Sequence, residues 1–367
     1  MILSLRILLS VLKVNRMDTK IIKISNNISN SLAEIEYAAS VIKKGGLVVF
    51  PTETVYGLGA DATRAETVKK IYAAKGRPSD NPLIIHVSDV SDAERYAYTS
   101  NIYYKIAERF MPGPITVIMP SKETVPSATR GGLDTVAVRC PENPIARKLI
   151  ELSDTAIAAP SANLSGTPSP TSAHHVINDM SGRVDVIIDG GDCDIGIEST
   201  IVKIEDDSSL TLLRPGKITV DELLEVVPEV AIDDAVTDEL KDGETALSPG
   251  MKYKHYAPKS DLILVDSDAE DFLDFLKNSD IGNVAVIAYT EDIQKISALI
   301  SDNDIYDLGY SSDKMSQAHR LFDILRQTDK REYKRIYAPL PDKSGIGLAL
   351  YNRMIRAAAH KIIDLRR

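Results

Sequence analysis

The sequence predicts an α/β protein built as two units. Between residues 46 and 214, short apolar runs alternate with segments of helical periodicity, a pattern typical of a mixed sheet covered by helices. After residue 259 the apolar runs become continuous, as in the buried strands of a parallel sheet. The length of 367 residues also exceeds that of most single domains. We therefore expect a larger mixed-sheet unit followed by a small three-layer α/β unit with Rossmann-like layers.

The elements of the first unit follow from periodicity in chain order. One helix is predicted at 31–44, and another begins after Thr63, where Thr63 and Glu66 have the spacing of a capping box. This second helix ends near Lys75. Later helices are predicted at 102–110, 144–152 and 172–180, and strands at 47–50, 83–87, 115–119, 135–139, 157–159, 184–188, 199–204 and 210–213.

The second unit is predicted from three continuous apolar runs and three helical patterns. The strands are placed at 262–265, 284–288 and 305–308, and the helices at 270–278, 314–328 and 345–363. The unit has no Gly-x-Gly-x-x-Gly and no Gly-Lys-Ser/Thr sequence, so nothing in it supports nucleotide binding. We expect four parts in the chain: an extension at 1–16, a catalytic unit at 17–226, a linker at 227–258 and an α/β unit at 259–367.

The linker has two contrasting parts. Residues 227–243 are acidic and poor in structure signals. Residues 248–258 hold two lysines, two tyrosines and a histidine between prolines, which is richer than a passive tether. We predict that the linker crosses the mouth of the first unit's cleft, where Tyr253 covers bound ATP or product. The alternative is a linker packed on the domain interface, away from the cleft.

The N-terminal segment is apolar over residues 1–12 but too short to span a bilayer. It also lacks a small-residue cleavage site of the kind that follows a signal peptide. Met17 resembles a natural start, so we expect residues 1–16 to be a non-native or mis-assigned extension. The alternative is a signal or anchor segment.

Composition and charge restrict the class of protein. The net charge of −10 argues against a broad electrostatic grip on nucleic acid, although a local basic cleft remains open. The two cysteines, Cys140 and Cys193, have neither the spacing of a zinc site nor that of a disulfide framework. These features fit a reducing cytoplasm, and no membrane partner is expected.

One stretch carries most of the predicted chemistry. After an apolar strand, Pro51 to Gly59 brings two threonines and a glutamate, and its glycines would let the backbone turn or approach a ligand. The next helix delivers Lys75 and Arg77, and the following strand carries His86. Such a group of cations suits a phosphate-bearing ligand. The alternative is that the two cations only interact with the helix dipole.

Other strand ends carry polar side chains that would complete a site. Arg139 ends a strand, and a buried arginine there needs an anion. Ser161 and Asn163 follow the next strand and suit a phosphate or ribose, or alternatively form an Asx turn. Further polar residues are Ser169, Ser199 and Arg214. There is no P-loop, nucleophile elbow or His-Glu-x-x-His motif, so nucleophilic catalysis by a side chain is not indicated.

Taken together, these motifs resemble the YrdC/TsaC/YwlC family of threonylcarbamoyl-AMP synthases, in its two-domain form. The matching stretches are PTETVYGLG at 51–59, KGRP at 75–78, NPL at 81–83, PGPIT at 112–116, SANLSG at 161–166, ST at 199–200 and RPG at 214–216. The resemblance covers about residues 22–216 and implies a twisted mixed sheet with a concave cleft. It also implies that L-threonine, bicarbonate and ATP are joined into L-threonylcarbamoyl-AMP with loss of pyrophosphate.

The resemblance also implies roles for individual residues. Catalysis would depend on Lys75, Arg77, Ser161 and Asn163. ATP would be bound by Arg77, Asn81, Thr135, Ser161, Ser169 and Arg214, and L-threonine by Thr54, His86, Arg139, Ala159 and Ser199. Mg²⁺ would be held through the ATP phosphates, and no side-chain ligand is assigned to it. The product would pass to a tRNA-modifying threonylcarbamoyl transferase complex.

Three other functions are compatible with parts of this pattern. An RNA-binding module could use a basic concave face, but the net charge and the lack of aromatic stacking patches disfavour more than weak RNA contact. A carbamoyl transferase of the hydrogenase-maturation type would carry acylphosphatase and zinc-finger modules, which the sequence lacks. A regulatory nucleotide-binding protein without turnover is disfavoured by the intact Lys75, Arg77, Ser161 and Asn163 set.

Overall fold

In the computed structural model, residues 17–24, 28–79, 81–238, 247–248 and 256–366 are described. Within them, eleven strands form the sheet of the first unit, with parallel and antiparallel neighbours, which confirms the predicted mixed sheet. The strands are β1 Lys20–Lys23, β2 Val48–Phe50, β3 Gly57–Asp61, β4 Ile84–His86, β5 Ile115–Pro120, β6 Thr135–Arg139, β7 Ile157–Ala158, β8 Val186–Asp189, β9 Thr200–Ile204, β10 Ser209–Arg214 and β11 Glu229–Ile232, in the spatial order β1-β8-β2-β3-β7-β4-β6-β5-β9-β10-β11.

Helices cover both faces of this sheet and leave one edge of strand ends for polar loops. They are α1 Leu32–Lys43, α2 Ala65–Lys75, α3 Asn101–Phe110, α4 Ser127–Arg130, α5 Pro144–Ser153, α6 Ala173–Met180 and α7 Val220–Leu224. On one face α1 and α5 bury Ile35 and Leu149, and on the other α2 and α3 bury Ile71 and Ile106. These apolar stripes fix the helices, so the loops between them are held in place.

The second unit is a five-stranded sheet in which every described pair of strands is parallel, as predicted. Its strands are β12 Asp261–Asp266, β13 Val284–Ala288, β14 Ile305–Asp307, β15 Arg335–Pro339 and β16 Ile362–Asp364, in the order β14-β13-β15-β12-β16, and its helices are α8 Ala269–Asn278, α9 Ile293–Ile296, α10 Lys314–Thr328 and α11 Gly347–Ala357. Two separate apolar clusters lie on the two faces of this sheet, which makes three layers.

Helix α10 joins the two units through polar contacts. Arg326 lies 2.6 Å from Asp179 and also donates to the backbone oxygen of Pro168 at 2.6 Å. His175 is 3.0 Å from Asp323. Because Arg326 and Asp179 are largely shielded from solvent, the relative position of the units is specified by geometry as well as by apolar contact.

Two local expectations at the start of the first unit are wrong. The predicted capping box does not form, because the Thr63 hydroxyl donates to Asp61 at 2.7 Å and Arg64 stands at the N-cap. The glycine-rich stretch forms the buried strand β3 and no turn, while the close approach of its backbone to a ligand stays a prediction. A side chain at Gly59 would come within 2.7 Å of the Phe50 ring, so its glycine serves close packing.

Two expectations near the ends of the units are also wrong. Residues 227–243 are poor in structure signals and were assigned to the linker, yet β11 pairs in parallel with β10 and Val230 packs on the core. The last helix ends at Ala357, well before residue 363, and β16 then pairs with β12. Ala359 and His360 adopt positive φ values at this helix end, and neither residue type marks a stop in the sequence.

Candidate active site

A cleft lies where several strands of the first sheet end. His86 and Arg139 end neighbouring parallel strands in register, so their side chains stand next to each other. The loops after β2 and β7 and the helix end of α2 close the remaining sides. The lining residues are Thr52, Val55, Tyr56, Gly57, Arg77, Ile84, His86, Arg139, Ala159, Pro160, Ser161, Asn163, Glu198, Arg214 and Tyr256.

The predicted catalytic group is brought together at one side of this cleft. The Lys75 ammonium donates to the backbone oxygens of Ser161 and Asn163, the latter at 2.8 Å. The Ser161 hydroxyl donates to the Asn163 side-chain oxygen at 2.6 Å. Helix α2 ends at Gly76 with a left-handed φ of 63°, and the chain then carries Arg77 to the cleft wall.

The Lys75 ammonium is placed where its charge is unfavourable without an anion. Burial, and then the neighbouring guanidinium of Arg77, hold the pKa of Lys75 well below its usual range. A triphosphate next to these two cations would oppose both effects, since an adjacent anion favours the charged amine. This side of the cleft is therefore suited to a highly charged anionic ligand.

Arg139 is bound to an acidic residue whose role the sequence did not reveal. Its guanidinium donates to Glu53 at 2.6 Å, and both side chains are buried. The Arg139 Nε has no hydrogen-bond partner among the described residues. Arg139 therefore has its counter-ion within the protein and keeps one donor for a further acceptor.

His86 is a neutral imidazole at ordinary pH. Burial, and then the charge of Arg139, lower the pKa of His86 from 6.5 to about 3. Its Nδ1 lies 3.3 Å from the backbone oxygen of Ile157, so the Nδ1 atom carries the proton and donates it to that carbonyl. The imidazole then serves as a polar, uncharged wall beside Arg139.

We expect this histidine to make the fold sensitive to acid. The unfolded chain binds a proton at a pKa near 6.5 and the folded chain only near 3, so stability falls as pH decreases through this window. The slope contributed by one such group is about 1.4 kcal/mol per pH unit. Denaturant unfolding between pH 7 and 4 should show a shallower dependence in His86→Gln than in wild type. The exposed His174→Gln is the control, and equal slopes in wild type and His86→Gln would contradict the prediction.

Two predicted residues that were assigned to different ligands share one buried network. Arg214 donates through Nε to the backbone oxygen of Ser199 and through Nη2 to its hydroxyl, both at 3.1 Å. The Ser199 hydroxyl is also 2.8 Å from that of Thr116. Arg214 therefore reaches the cleft with its orientation fixed by the start of β9.

Several predicted residues lie behind the cleft wall or away from it. Thr54 is buried and its hydroxyl lies 2.9 Å from that of Thr52, while the Ser169 hydroxyl donates to Glu198 at 2.6 Å. The Asn81 amide is fully buried and has no side-chain partner within the described residues. Thr135 begins β6, at the opposite end of the strand from Arg139.

The ligand roles of these residues stay predictions. Tyr253 and residues 1–16 lie outside the described residues, so their predicted roles also stay predictions. The end of the linker is visible at Tyr256, which is buried and lines the cleft. The linker therefore touches the cleft at this residue.

Sequence reasoning missed Glu198 and Arg353 as parts of this site. Glu198 lines the cleft, and Arg353 of α11 lies 2.8 Å from its carboxylate. A glutamate directly before the predicted Ser199 was a visible signal, but nothing in the sequence indicated its partner.

Among the described residues, no cluster of three or more His, Cys, Asp or Glu side chains is arranged to hold a metal ion. In the same described residues, no helix is long and apolar enough to cross a membrane.

Comparison with known proteins gives matches to both units. A family model described as "Telomere recombination" matches residues 40–216, and one described as "Threonylcarbamoyl-AMP synthase, C-terminal domain" matches residues 218–359. A threonylcarbamoyl-AMP synthase of Pyrococcus abyssi is 43% identical over 90% of this chain and 96% of its own length. That of Bacillus subtilis is 39% identical over 93% of this chain and 98% of its own.

A solved structure is similar over nearly the whole chain. Pyrococcus abyssi Sua5 complexed with L-threonine superposes with a TM-score of 0.85 at 40% identity, covering 95% of this chain and 99% of that one. Similarity at this level extends over both sheets, so the two-unit architecture is shared as well as the individual motifs.

Proposed function

The chain belongs to the threonylcarbamoyl-AMP synthase family, and from that premise we propose how its cleft carries out the reaction. The enzyme makes L-threonylcarbamoyl-AMP from L-threonine, bicarbonate and ATP, with release of pyrophosphate. This is the first step of threonylcarbamoyladenosine formation in tRNA. The resemblance inferred from the sequence motifs is thereby confirmed.

The arrangement we propose places ATP and L-threonine side by side in the cleft. The observation that carries it is the presence of two polar groups at the cleft: Arg77 in its wall with Lys75 buried behind Ser161 and Asn163, and His86 with Arg139. The first group suits a triphosphate and the second an amino-acid carboxylate. Ser161 and Asn163 stand beside the first group, where they would fix the phosphates.

The chemistry requires positioning more than a reactive side chain. The amine of threonine and bicarbonate form a carbamate with loss of water, and a carbamate oxygen then attacks the α-phosphorus of ATP. The bond between the α- and β-phosphates breaks, and pyrophosphate leaves with its electron pair. Lys75 and Arg77 neutralise the charge that develops on the phosphates. No covalent enzyme intermediate is needed, and we assign no general base.

Mg²⁺ fits this arrangement as a partner of the phosphates. Thr52, Ser161 and Glu198 bring oxygen atoms to the cleft wall, and oxygen is the ligand type that Mg²⁺ prefers. When bound, the ion would share the negative charge of the phosphates with Lys75 and Arg77.

Arg139 is the proposed anchor for the threonine carboxylate. Glu53 holds one end of the guanidinium, which keeps the fork in a single orientation. The Nε donor, buried without a protein partner in the described chain, is then available to a carboxylate oxygen. Ala159 lines the same cleft and would contribute main-chain contacts.

The linker is proposed to cover the cleft once substrates are bound. Tyr256, its described end, lies in the cleft wall and packs on Phe322 of the second unit at a ring separation of 5.0 Å. A labile adenylate needs protection from water, and a segment anchored at this point supplies it.

We place the reaction in the cytoplasm, where both buried cysteines stay reduced, and propose transfer of the product to a threonylcarbamoyl transferase complex. Contact with RNA is weak in this scheme, since the net charge is −10.

Pyrophosphate release should depend on both L-threonine and bicarbonate. Serine, which lacks the methyl group, should react about tenfold or more slowly, because a pocket that packs one side chain loses that contact. The measurement is coupled pyrophosphate detection with each amino acid, with and without bicarbonate in degassed buffer. Equal rates with alanine and threonine, or release without bicarbonate, would contradict the assignment.

A further inference from the structure

Helix α11 of the second unit reaches into the wall of the first unit's cleft. Its Arg353 is completely buried, and Nε donates to the Glu198 carboxylate at 2.8 Å. Its Nη2 also approaches the Glu198 backbone oxygen at 3.4 Å, and Nη1 donates to Asn352 at 2.7 Å. Each of the three guanidinium nitrogens therefore has a hydrogen-bond partner. One of these partners, Glu198, lines the cleft.

Glu198 also contacts Ser169, a residue predicted to bind ATP. Its second carboxylate oxygen accepts the Ser169 hydroxyl at 2.6 Å. The next residue, Ser199, accepts both hydrogen bonds from Arg214. One carboxylate thus connects the second unit to Ser169, and through the adjoining backbone to Arg214.

The same arginine also borders the visible end of the linker. The Arg353 guanidinium carbon lies 5.7 Å from the centre of the Tyr256 ring, at cation–π distance. Tyr256 lines the cleft, so Arg353 stands behind two neighbouring parts of its wall, the linker end and Glu198.

The charges show that the pair is ionic. Burial raises the pKa of Glu198, but Arg353 and then Arg214 outweigh it and bring that pKa to about 2. A buried ion pair is poor evidence for stability, because apolar residues of similar volume hold helices together equally well. Its specific property is that it fixes the orientation of the carboxylate, since the planar guanidinium forms good hydrogen bonds in only a few orientations.

We propose that Arg353 is a positioning residue for the nucleotide side of the cleft. By holding Glu198 it fixes Ser169, the Ser199–Arg214 contact and Tyr256 in the geometry that ATP requires. This role rests on the proposed placement of ATP, and it gives the second unit a part in catalysis although none of its described residues lines the cleft.

The test compares Arg353→Met with Arg356→Met on the full-length chain. Arg356 lies on the same helix and is similarly buried, and it donates to the backbone oxygens of Ala235 and Asp238, away from Glu198. We expect Arg353→Met to raise the KM for ATP about tenfold with a much smaller effect on the KM for threonine. Arg356→Met should lower Tm and leave both KM values near wild type.

The double variant Glu198→Gln with Arg353→Met separates positioning from stability. Breaking the pair strands a buried charge, whereas removing both charges does not, so the double variant should regain much of the Tm lost in Arg353→Met. It should not regain the KM for ATP, because Ser169 and Tyr256 stay without their fixed neighbour. This variant also provides the measurement if Arg353→Met fails to fold.

Three outcomes are decisive. A raised KM for ATP that persists in the double variant supports the proposal. A KM for ATP that stays at the wild-type value in the double variant, or recovers there together with Tm, overturns it and leaves Arg353 a structural residue. Absence of threonine-dependent pyrophosphate release in wild type would instead refute the proposed function itself, and calorimetric ATP binding to each variant would then still measure the effect of Arg353.

Discussion

Replacing Arg77 with alanine is expected to reduce threonine-dependent pyrophosphate release by about a thousandfold or more. Arg77 lines the cleft, and Lys75 lies buried behind it, where its ammonium donates to the backbone oxygens of Ser161 and Asn163. Removing either leaves the charge that develops on the departing pyrophosphate without a fixed partner in a site shielded from water. Lys75→Ala should have a similar effect, and the measurement is single-turnover pyrophosphate release at saturating ATP.

A matched control exists on the same helix. Lys70 lies on α2 but donates to the backbone oxygen of Gly45, far from the cleft wall, so Lys70→Ala should keep wild-type turnover. All variants should be compared by circular dichroism, so that loss of fold is not read as loss of chemistry. Near-wild-type rates in folded Arg77→Ala and Lys75→Ala would remove the basis for the phosphate site.

Replacing Arg139 with lysine is expected to raise the KM for L-threonine about 10- to 100-fold, with little change in the KM for ATP. Lysine keeps a positive charge beside Glu53 but lacks the planar fork and the Nε donor that the carboxylate would use. The substitution therefore tests geometry and leaves the buried carboxylate with a counter-ion. Threonine titration at saturating ATP and bicarbonate measures the effect.

The control for this substitution is Arg147→Lys. Arg147 lies on α5 and donates to the backbone oxygen of Ser88, outside the cleft lining, so its threonine KM should not change. An equal rise in the KM for ATP and threonine in Arg139→Lys would indicate a general distortion of the cleft. No change in either value would show that the carboxylate binds elsewhere.

The parts of the fold that the sequence predicted well are those with strong and continuous patterns. The bounds of β6 at Thr135–Arg139 and of α10 at Lys314–Thr328 agree with the prediction because apolar spacing and polar ends coincide there. Strand β3 was missed because Gly57 and Gly59 have low strand propensity. Its formation depends on the Phe50 ring filling the space beside it, which is a tertiary effect.

The candidate site divides in the same way. Lys75 and Arg77 could be assigned to a phosphate-bearing ligand because they lie at the end of α2, whereas their grouping with Ser161 and Asn163 came from the family resemblance. The Glu53–Arg139 and Glu198–Arg353 pairs join residues 86 and 155 positions apart. Such partners are chosen by the packing of whole elements, and no local spacing in the sequence encodes them.

The contacts between the units also limit how this gene could be divided. A polypeptide ending after residue 216 would retain Glu198 and Asp179 but lose Arg353 and Arg326, so each carboxylate would lose its ion-pair partner and Glu198 would be left with the charge of Arg214. It would also lose β11 from the sheet edge and uncover β10. The first unit therefore relies on residues after 216 for two ion-pair partners and for the strand that covers β10.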